Sequence, residues 1–237
     1  MIRSFGITHV GQVRSNNEDS FAERPEMSLF AVADGMGGAQ AGERASRITV
    51  DTLVESIRQA GPEADVESLG EAVRQANRNV RAEAESRPEL AGMGTTVVAL
   101  IAREPRVAVA NVGDSRVYLF RDGSLELVTS DHSWVNEVGR GLGLSEEQLR
   151  THPYRNVLTR AVGAEEDLEV QLFEIDCRPG DVLLLCSDGL HGVAGETAVA
   201  EILGRDASLE DRGQALVDAV LERGAPDNVT ALLVAYE

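Results

Sequence analysis

With 237 residues, 43% of them apolar, the chain is long enough to bury a full-sized core, and its formal charge of −18 weighs against nucleic acid and anionic membrane surfaces as partners, because both repel an acidic protein. Apolar runs such as residues 97–102 and 182–186 fall far short of the roughly 20 residues that span a bilayer. The opening MIRSFGITHVG lacks the apolar stretch of a signal peptide, so a cytoplasmic protein is expected.

No linker, low-complexity tract or repeat divides the chain, and one domain over residues 1–237, working as a monomer, is expected. Its first strand is predicted at 4–8, and an apolar strand at 29–33 runs into Asp34. Residues 40–60 carry Val50, Leu53, Val54 and Ile57 at helical spacing. Residues 68–87 repeat the pattern with Leu69, Ala72, Val73, Ala76 and Val80 behind a capping box of Ser68 and Glu71. Strands follow at 95–102, 106–112 and 116–121. The connections Glu104-Pro105, Gly113-Asp114-Ser115 and Asp122-Gly123 are so short that they predict antiparallel hairpins. Residues 131–163 are rich in Gly, Asn, His and Arg, with one short helix signal at 145–150. A long irregular segment in a compact domain predicts a lid or binding loop, here a flap. Strands at 169–175 and 182–186, helices at 196–203 and 209–223 ended by Gly204 and Gly224, and a strand at 229–236 complete the chain. Helix pairs between blocks of antiparallel strands predict an α+β fold, a four-layer αββα sandwich of two stacked sheets flanked by helices.

The chemistry gathers at strand ends. Asp34 precedes Gly35, Asp188 precedes Gly189, Asp114 follows Gly113, and Asp227 stands just before the last strand. A single Asp-Gly reads as a turn. The set reads as a site, because converging carboxylates repel one another unless something positive sits between them. A hard divalent cation bound by oxygens is the natural occupant. The four histidines (His9, His132, His152, His191) and two cysteines form no ligand-spaced cluster, which disfavours zinc and leaves Mg2+ and Mn2+. Cys177 and Cys186 are expected as buried, reduced thiols. With no G-x-S-x-G elbow, no Walker loop and no cysteine phosphate cradle, a water activated between two cations is the expected nucleophile.

Six motifs in order resemble the protein phosphatase 2C family of metal-dependent Ser/Thr phosphatases, over essentially the whole chain. They are Arg14-Ser15-Asn16-Asn17-Glu18-Asp19, Val32-Ala33-Asp34-Gly35-Met36-Gly37-Gly38, Asn111-Val112-Gly113-Asp114-Ser115-Arg116, Thr129-Ser130-Asp131-His132, Ser187-Asp188-Gly189 and Asp227-Asn228-Val229-Thr230. The flap wording, Asp131 to Glu137 and His152 to Arg160, is similar to the compact bacterial members. The resemblance implies phosphoprotein substrates, an opposing bacterial Ser/Thr kinase, and two metals in a cleft at one edge of the sheets. It implies Asp34 bridging both metals with the Gly35 carbonyl on one of them, and Asp188 and Asp227 on the other. Asp19 reaches a metal through a water, Glu18 ligates directly, and Asp114 with Asp188 holds a third, weaker metal. Arg14 grips the substrate phosphate, work suited to its bidentate fork. Arg14, Asp34, Asp188 and Asp227 are thus the expected catalytic residues. A protein substrate must also cross the cleft rim, so Trp134 and Arg160 of the flap are expected to bind it.

Two positions depart from the family pattern. Met36 stands where some relatives carry a histidine proposed as general acid, and Ala39 where some bacterial members have a histidine near the substrate. His132 is expected to be structural and His191 to be a solvated loop residue, while Asn228 and Thr230 are expected to support the ligands or the turn. Three other readings stand beside the phosphoprotein phosphatase: a phosphatase of anti-sigma-factor antagonists, a catalytically silent module of the same fold, and a protein binding Ca2+ structurally. The length of the flap and the Arg14 motif weigh against the first, the full set of acids against the second, and the missing D-x-D-x-D-G loop against the third.

Overall fold

Period-two alternation along the strands decides which face each residue takes, and with it the layering. The computed structural model describes residues 1–37 and 40–237, apart from the side chains of Glu146 and Arg150; the motif position Gly38 and the departure at Ala39 lie outside the described residues. The strands are β1 (Ile2–His9), β2 (Asp19–Arg24), β3 (Leu29–Met36), β4 (Gly94–Thr95), β5 (Val97–Ala102), β6 (Arg106–Val112), β7 (Arg116–Arg121), β8 (Ser124–Leu127), β9 (Gln171–Asp176), β10 (Val182–Cys186) and β11 (Val229–Tyr236). The helices are α1 (Ala41–Ala60), α2 (Val66–Ser86), α3 (Glu146–Thr151), α4 (Asp188–Ala194), α5 (Glu196–Leu203) and α6 (Leu209–Leu221).

One sheet has the order β1-β11-β10-β7-β8, the other β2-β3-β5-β6-β9 with β4 paired to the end of β3, and the pairings are antiparallel. Phe30, Val32, Val98, Leu100, Val107 and Val109 of the second sheet meet Val117, Leu119, Leu183, Leu185, Leu232 and Val234 of the first in a core between the sheets. Their sequence neighbours face outward. Leu29, Ala31 and Ala33 pack against Leu53, Leu69 and Val73 of α1 and α2, while Leu184, Ala231 and Leu233 pack against Leu216 and Val220 of α6. Each wholly buried leucine or phenylalanine stabilises this arrangement by ~1.5–3 kcal/mol. The four-layer αββα sandwich is the one expected. No helix among the described residues is long and apolar enough to cross a membrane.

Three local expectations differ from the structure. Gly113-Asp114-Ser115 does not close a hairpin: β6 and β7 belong to different sheets, so this short turn carries the chain across the sandwich. Gly113, at φ 100°, makes the sharp exit, and a Cβ there would fall 2.6 Å from the Thr96 side chain. The second helix starts two residues before Ser68, because Asp65 is the N-cap and its Oδ1 accepts the Ser68 N–H at 2.9 Å. β3 also runs on to Met36, so Asp34 lies within a strand and not at its end.

Candidate active site

The inner-face parity continues where the apolar residues stop. Two residues past Val32 on β3 is Asp34, and two before Phe21 on β2 is Asp19. The same step from Leu185, Leu232, Val98 and Val117 gives Ser187, Thr230, Thr96 and Ser115. At one end of the sandwich, therefore, carboxylates and hydroxyls replace hydrocarbon between the sheets. Thr230 Oγ1 and Ser187 Oγ donate to Asp19 Oδ2 at 2.6 and 2.8 Å, joining one sheet to the other. Thr96 Oγ1 accepts the Asp34 N–H at 3.0 Å and pairs with Ser115 Oγ at 2.7 Å. The Asp34 carbonyl accepts from Thr95 Oγ1 at 2.7 Å and from the Thr96 N–H at 2.9 Å. The backbone carrying Asp34 is clamped on both sides, as a rigid site requires.

Asp19 and Asp34 are direct cross-strand partners, a pairing that like charges disfavour. Asp188 begins α4 and stands within hydrogen-bonding reach of Asp34. Asp114 arrives on the crossover and Asp227 on the loop before β11. With Arg14, Glu18, Gly35, Met36 and Thr96, the acids Asp34, Asp114, Asp188 and Asp227 line an open cleft of about 630 Å³. Their crowding shows in their acidity. Burial, then repulsion from Asp19 and Asp188, holds the Asp34 carboxyl well above the usual carboxylate range. Burial and Asp227 raise Asp188, and burial and Asp188 push Asp114 up to about 7. Burial pushes Asp19 up to about 6, against the opposing pull of the Thr230 and Ser187 hydroxyls.

These residues fit hard divalent cations. Asp19 Oδ1 is buried without a hydrogen-bond partner among the described residues, a bare anionic oxygen that a cation or its water would satisfy. Asp34, Asp188 and Asp227 open onto the cleft as the groups that would hold them, and the ligand atoms these three offer are oxygens. No three Asp, Glu, His or Cys side chains among the described residues already close on one point as a ligand cage. Mg2+ and Mn2+ suit such an open set, because they keep several of their waters. Glu18 lines the cleft too, with its carboxylate against the first turn of α1: a Cβ on Gly42 would fall 2.0 Å from Glu18 Oε2. A Cβ on Gly35 would fall 2.1 Å from the Gly42 carbonyl, so this glycine pair lets α1 press directly onto the strand that holds Asp34.

Arg14 lines the same cleft, its Nη2 donating to Asp227 Oδ2 at 2.7 Å. Trp134 and Arg160 do not line it. Trp134 stacks on His152 with ring centroids 4.3 Å apart and meets Tyr154 edge-on at 5.4 Å, and Arg160 forms ion pairs of 3.2 Å with Glu137 and with Glu169. Trp134 lies within the flap's own packing, and Arg160 also ties the flap to Glu169 just before β9. Asn156 and Leu158 are the flap residues that line this cleft, and Arg140 and Arg155 line an adjoining cavity with Asp114 and Asp188; sequence reasoning did not single them out. His132 is structural, as expected: buried, it accepts the Gly113 N–H on Nδ1 at 3.1 Å and fastens the flap base to the crossover. His191 is not a solvated loop residue. It sits on α4 with Nε2 3.0 Å from the Asp114 carbonyl, and burial, reinforced by Arg116, pushes its pKa down to about 4. α4 escaped the sequence reading because it spans only seven residues and contains two glycines.

The description "Protein phosphatase 2C" belongs to the family profile that matches residues 8–234. The serine/threonine phosphatase stp of Listeria monocytogenes serovar 1/2a is 38% identical over 234 residues, which cover 96% of this chain and 93% of that protein. The solved serine/threonine phosphatase of S. agalactiae matches with a TM-score of 0.93 at 33% identity, over 100% of both chains. The catalytic domain of the phosphatase PstP, solved in complex with two manganese ions, matches with a TM-score of 0.88 at 33% identity, over 99% of this chain and 97% of that one.

Proposed function

Because this chain belongs to the protein phosphatase 2C family, we propose that its acid cleft hydrolyses phosphoserine and phosphothreonine esters of proteins, with Asp34, Asp188 and Asp227 holding two divalent cations and Arg14 holding the phosphate. It is a metal-dependent Ser/Thr phosphatase like the relatives it matches. The observation that carries the reading is the row of inner-face acids whose repulsion cations relieve: Asp34 opposite Asp19, and Asp188 beside Asp34.

Bound Mn2+ or Mg2+ supplies an acidified water as nucleophile and neutralises charge on the phosphate. The chain's own residues do the rest. Asp34 lines the cleft from a strand clamped by Thr95 and Thr96, Gly35 offers its carbonyl beside it, Asp19 supports from β2 and Glu18 from the residue before it. The Arg14 fork presents paired donors to phosphate oxygens from the cleft rim. Protein nucleophiles are unsuited to the attack. The Cys186 thiol is wholly buried and pushed up to about 12, and the Ser187 hydroxyl is engaged with Asp19.

The same reading makes a Ser/Thr kinase its counterpart, the cytoplasm its location and a monomer its working form. Phosphate release from a phosphothreonine peptide, measured after chelator treatment with and without added Mn2+, tests it. Turnover with every divalent cation removed would overturn it.

A further inference from the structure

Residues 10–18 form an arch that leaves β1 and returns to β2, with Arg14 near its crown and Glu18 at its foot. Nothing apolar holds this arch: Val13 is 71% exposed, and Arg14 is half-exposed. Its two ends are nevertheless bridged by one buried amide. Asn228, 5% exposed, accepts the Glu18 N–H on Oδ1 at 2.8 Å, and its Nδ2 donates to the carbonyls of Val10 and Asn16, both at 2.9 Å. One side chain thus bonds both ends of the arch and a point just past Arg14.

Its surroundings leave Asn228 little freedom. Its own N–H is held by Asp227 Oδ1 at 2.9 Å, and a Cβ on Gly189 of α4 would fall 1.9 Å from its carbonyl. The near end of the arch lies directly on residues 225–227. Gln12 N–H donates to the Ala225 carbonyl at 2.9 Å, and at Gly11, with φ +83°, a Cβ would fall 2.2 Å from the Asp227 carbonyl. The arch is therefore registered on the Asp227 loop through backbone contacts and the Asn228 amide, beside the Arg14–Asp227 ion pair.

We propose that Asn228 is the positioning residue for phosphate binding: its side-chain amide ties the Arg14 arch to the Asp227 loop, so that the phosphate-holding fork and the cation-holding carboxylate keep a fixed separation. This rests on reading Arg14 as the group that holds phosphate. Asn suits the task because it alone among small side chains supplies one acceptor and two donors, and all three are used here. Aspartate would keep the acceptor and turn a second carboxylate oxygen onto two carbonyls. Alanine would remove the acceptor of the Glu18 N–H and the amide donor to the Val10 and Asn16 carbonyls.

The test compares Asn228→Ala, Asn228→Asp, Arg14→Ala and the Asn228→Ala/Arg14→Ala double variant, each loaded with Mn2+. Asn228→Ala should raise KM for a phosphothreonine peptide about tenfold while kcat stays within about threefold. The double variant should have a KM within about threefold of Arg14→Ala alone, because the second change has nothing left to misplace. Amide exchange over residues 10–18 should quicken in Asn228→Ala while the central strands keep their protection, and calorimetry should still count two tight cations. Asn228→Asp should equal or exceed Ala in both KM and exchange, and it decides the matter if the Ala variant does not fold. An unchanged KM, single-variant effects that multiply in the double variant, or unchanged exchange over the arch would each overturn the inference. Should Arg14→Ala itself leave KM at its wild-type value, the phosphate-holding role of Arg14 falls, and the exchange comparison still decides whether Asn228 holds the arch.

Discussion

Mn2+ should raise the melting temperature of this protein more at pH 8 than at pH 5, and the acid cluster sets the size of the difference. The Asp19 carboxyl, buried between the sheets, is pushed up to about 6. It is about nine-tenths protonated at pH 5 and about one-hundredth protonated at pH 8, so a cation arriving at pH 5 must displace that proton. Competition at this one group weakens binding about tenfold, or ~1.4 kcal/mol. Asp34, held well above the usual range, adds in the same direction. For a chain of this length ~1.4 kcal/mol corresponds to ~3–6 °C in melting temperature.

A carboxyl raised in the folded state contributes stability that is fully present below its ordinary 3.8 and is lost as pH rises through about 6 for Asp19 and about 7 for Asp114. The chelated protein therefore loses carboxyl-derived stability on the way from pH 4 to pH 7. His191, held near 4 by burial, works the other way, and stability is lost as pH falls below the usual histidine range. The histidines bind no cation in this reading, so they contribute equally with and without Mn2+. Subtracting the chelated melting temperature from the Mn2+-loaded one at each pH isolates the carboxylates. Scanning calorimetry at pH 5, 6, 7 and 8 makes the measurement. A Mn2+-induced rise that is equal at pH 5 and pH 8, or larger at pH 5, refutes the reasoning.

Asp34→Ala, Asp188→Ala and Asp227→Ala should each lower phosphatase activity on the order of a hundredfold or more while circular dichroism stays wild-type, since each removes a cation-holding group; substantial turnover in any of them shows that the site is misplaced. Arg14→Ala should raise KM, with ~2–3 kcal/mol of transition-state binding lost and cation affinity by calorimetry near wild type. Trp134→Ala removes the stack on His152 and should slow a phosphoprotein more than a small aryl phosphate; equal losses make the flap a structural support. Asp114→Ala should keep two tight cations yet lose most turnover, most of all for poor leaving groups. An unchanged kcat on a phosphothreonine peptide leaves Asp114 as a shaper of the crossover.

Where an element was long and periodic, sequence alone located it. β6, β7, β10 and β11 occupy the expected spans, and α1 and α2 start within two residues of theirs. β2 was missed because DSFAER begins with an acid and has only Phe21 and Ala22 to mark its faces. The crossover was misread for a different reason. A three-residue turn fits a hairpin or a step between sheets equally well, and only the partner strands, distant in sequence, decide between them. Asp34, Asp114 and Asp188 were legible beside their glycines and Asp227 by its place before the last strand, whereas Asp19 and Glu18 came only from the family resemblance. The hydroxyls that aim them were not singled out, although extending the alternation by one step would have put Thr96, Ser115, Ser187 and Thr230 on the inner face with Asp34. The contacts of Asn228 could not be read, because all three of its partners belong to residues more than 200 positions away.

The position of the crossover explains why the acids meet at all. A hairpin at Gly113-Asp114-Ser115 would have kept Asp114 in the sheet of Asp34, on the far side of β5 from Asp19. Stepping to the other sheet instead places it beside α4, where the Asp114 carbonyl meets His191 and its carboxyl faces Asp188. The repulsion this creates is borne by strands that are apolar on both faces a few residues away, so it cannot relax by fraying without exposing the core between the sheets. Five of the acids are thus held together by the same alternation that builds the sandwich: Asp19 and Asp34 on inner faces, Asp188 after the inner-facing Ser187, Asp227 just before β11, and Asp114 on the step between the sheets. With Arg14 already bonded to Asp227, the cleft has no surplus positive charge of its own to offer a phosphate. Divalent cations held by these acids would offset their charge and relieve Arg14 of neutralising Asp227, which would make the cleft attractive to phosphate.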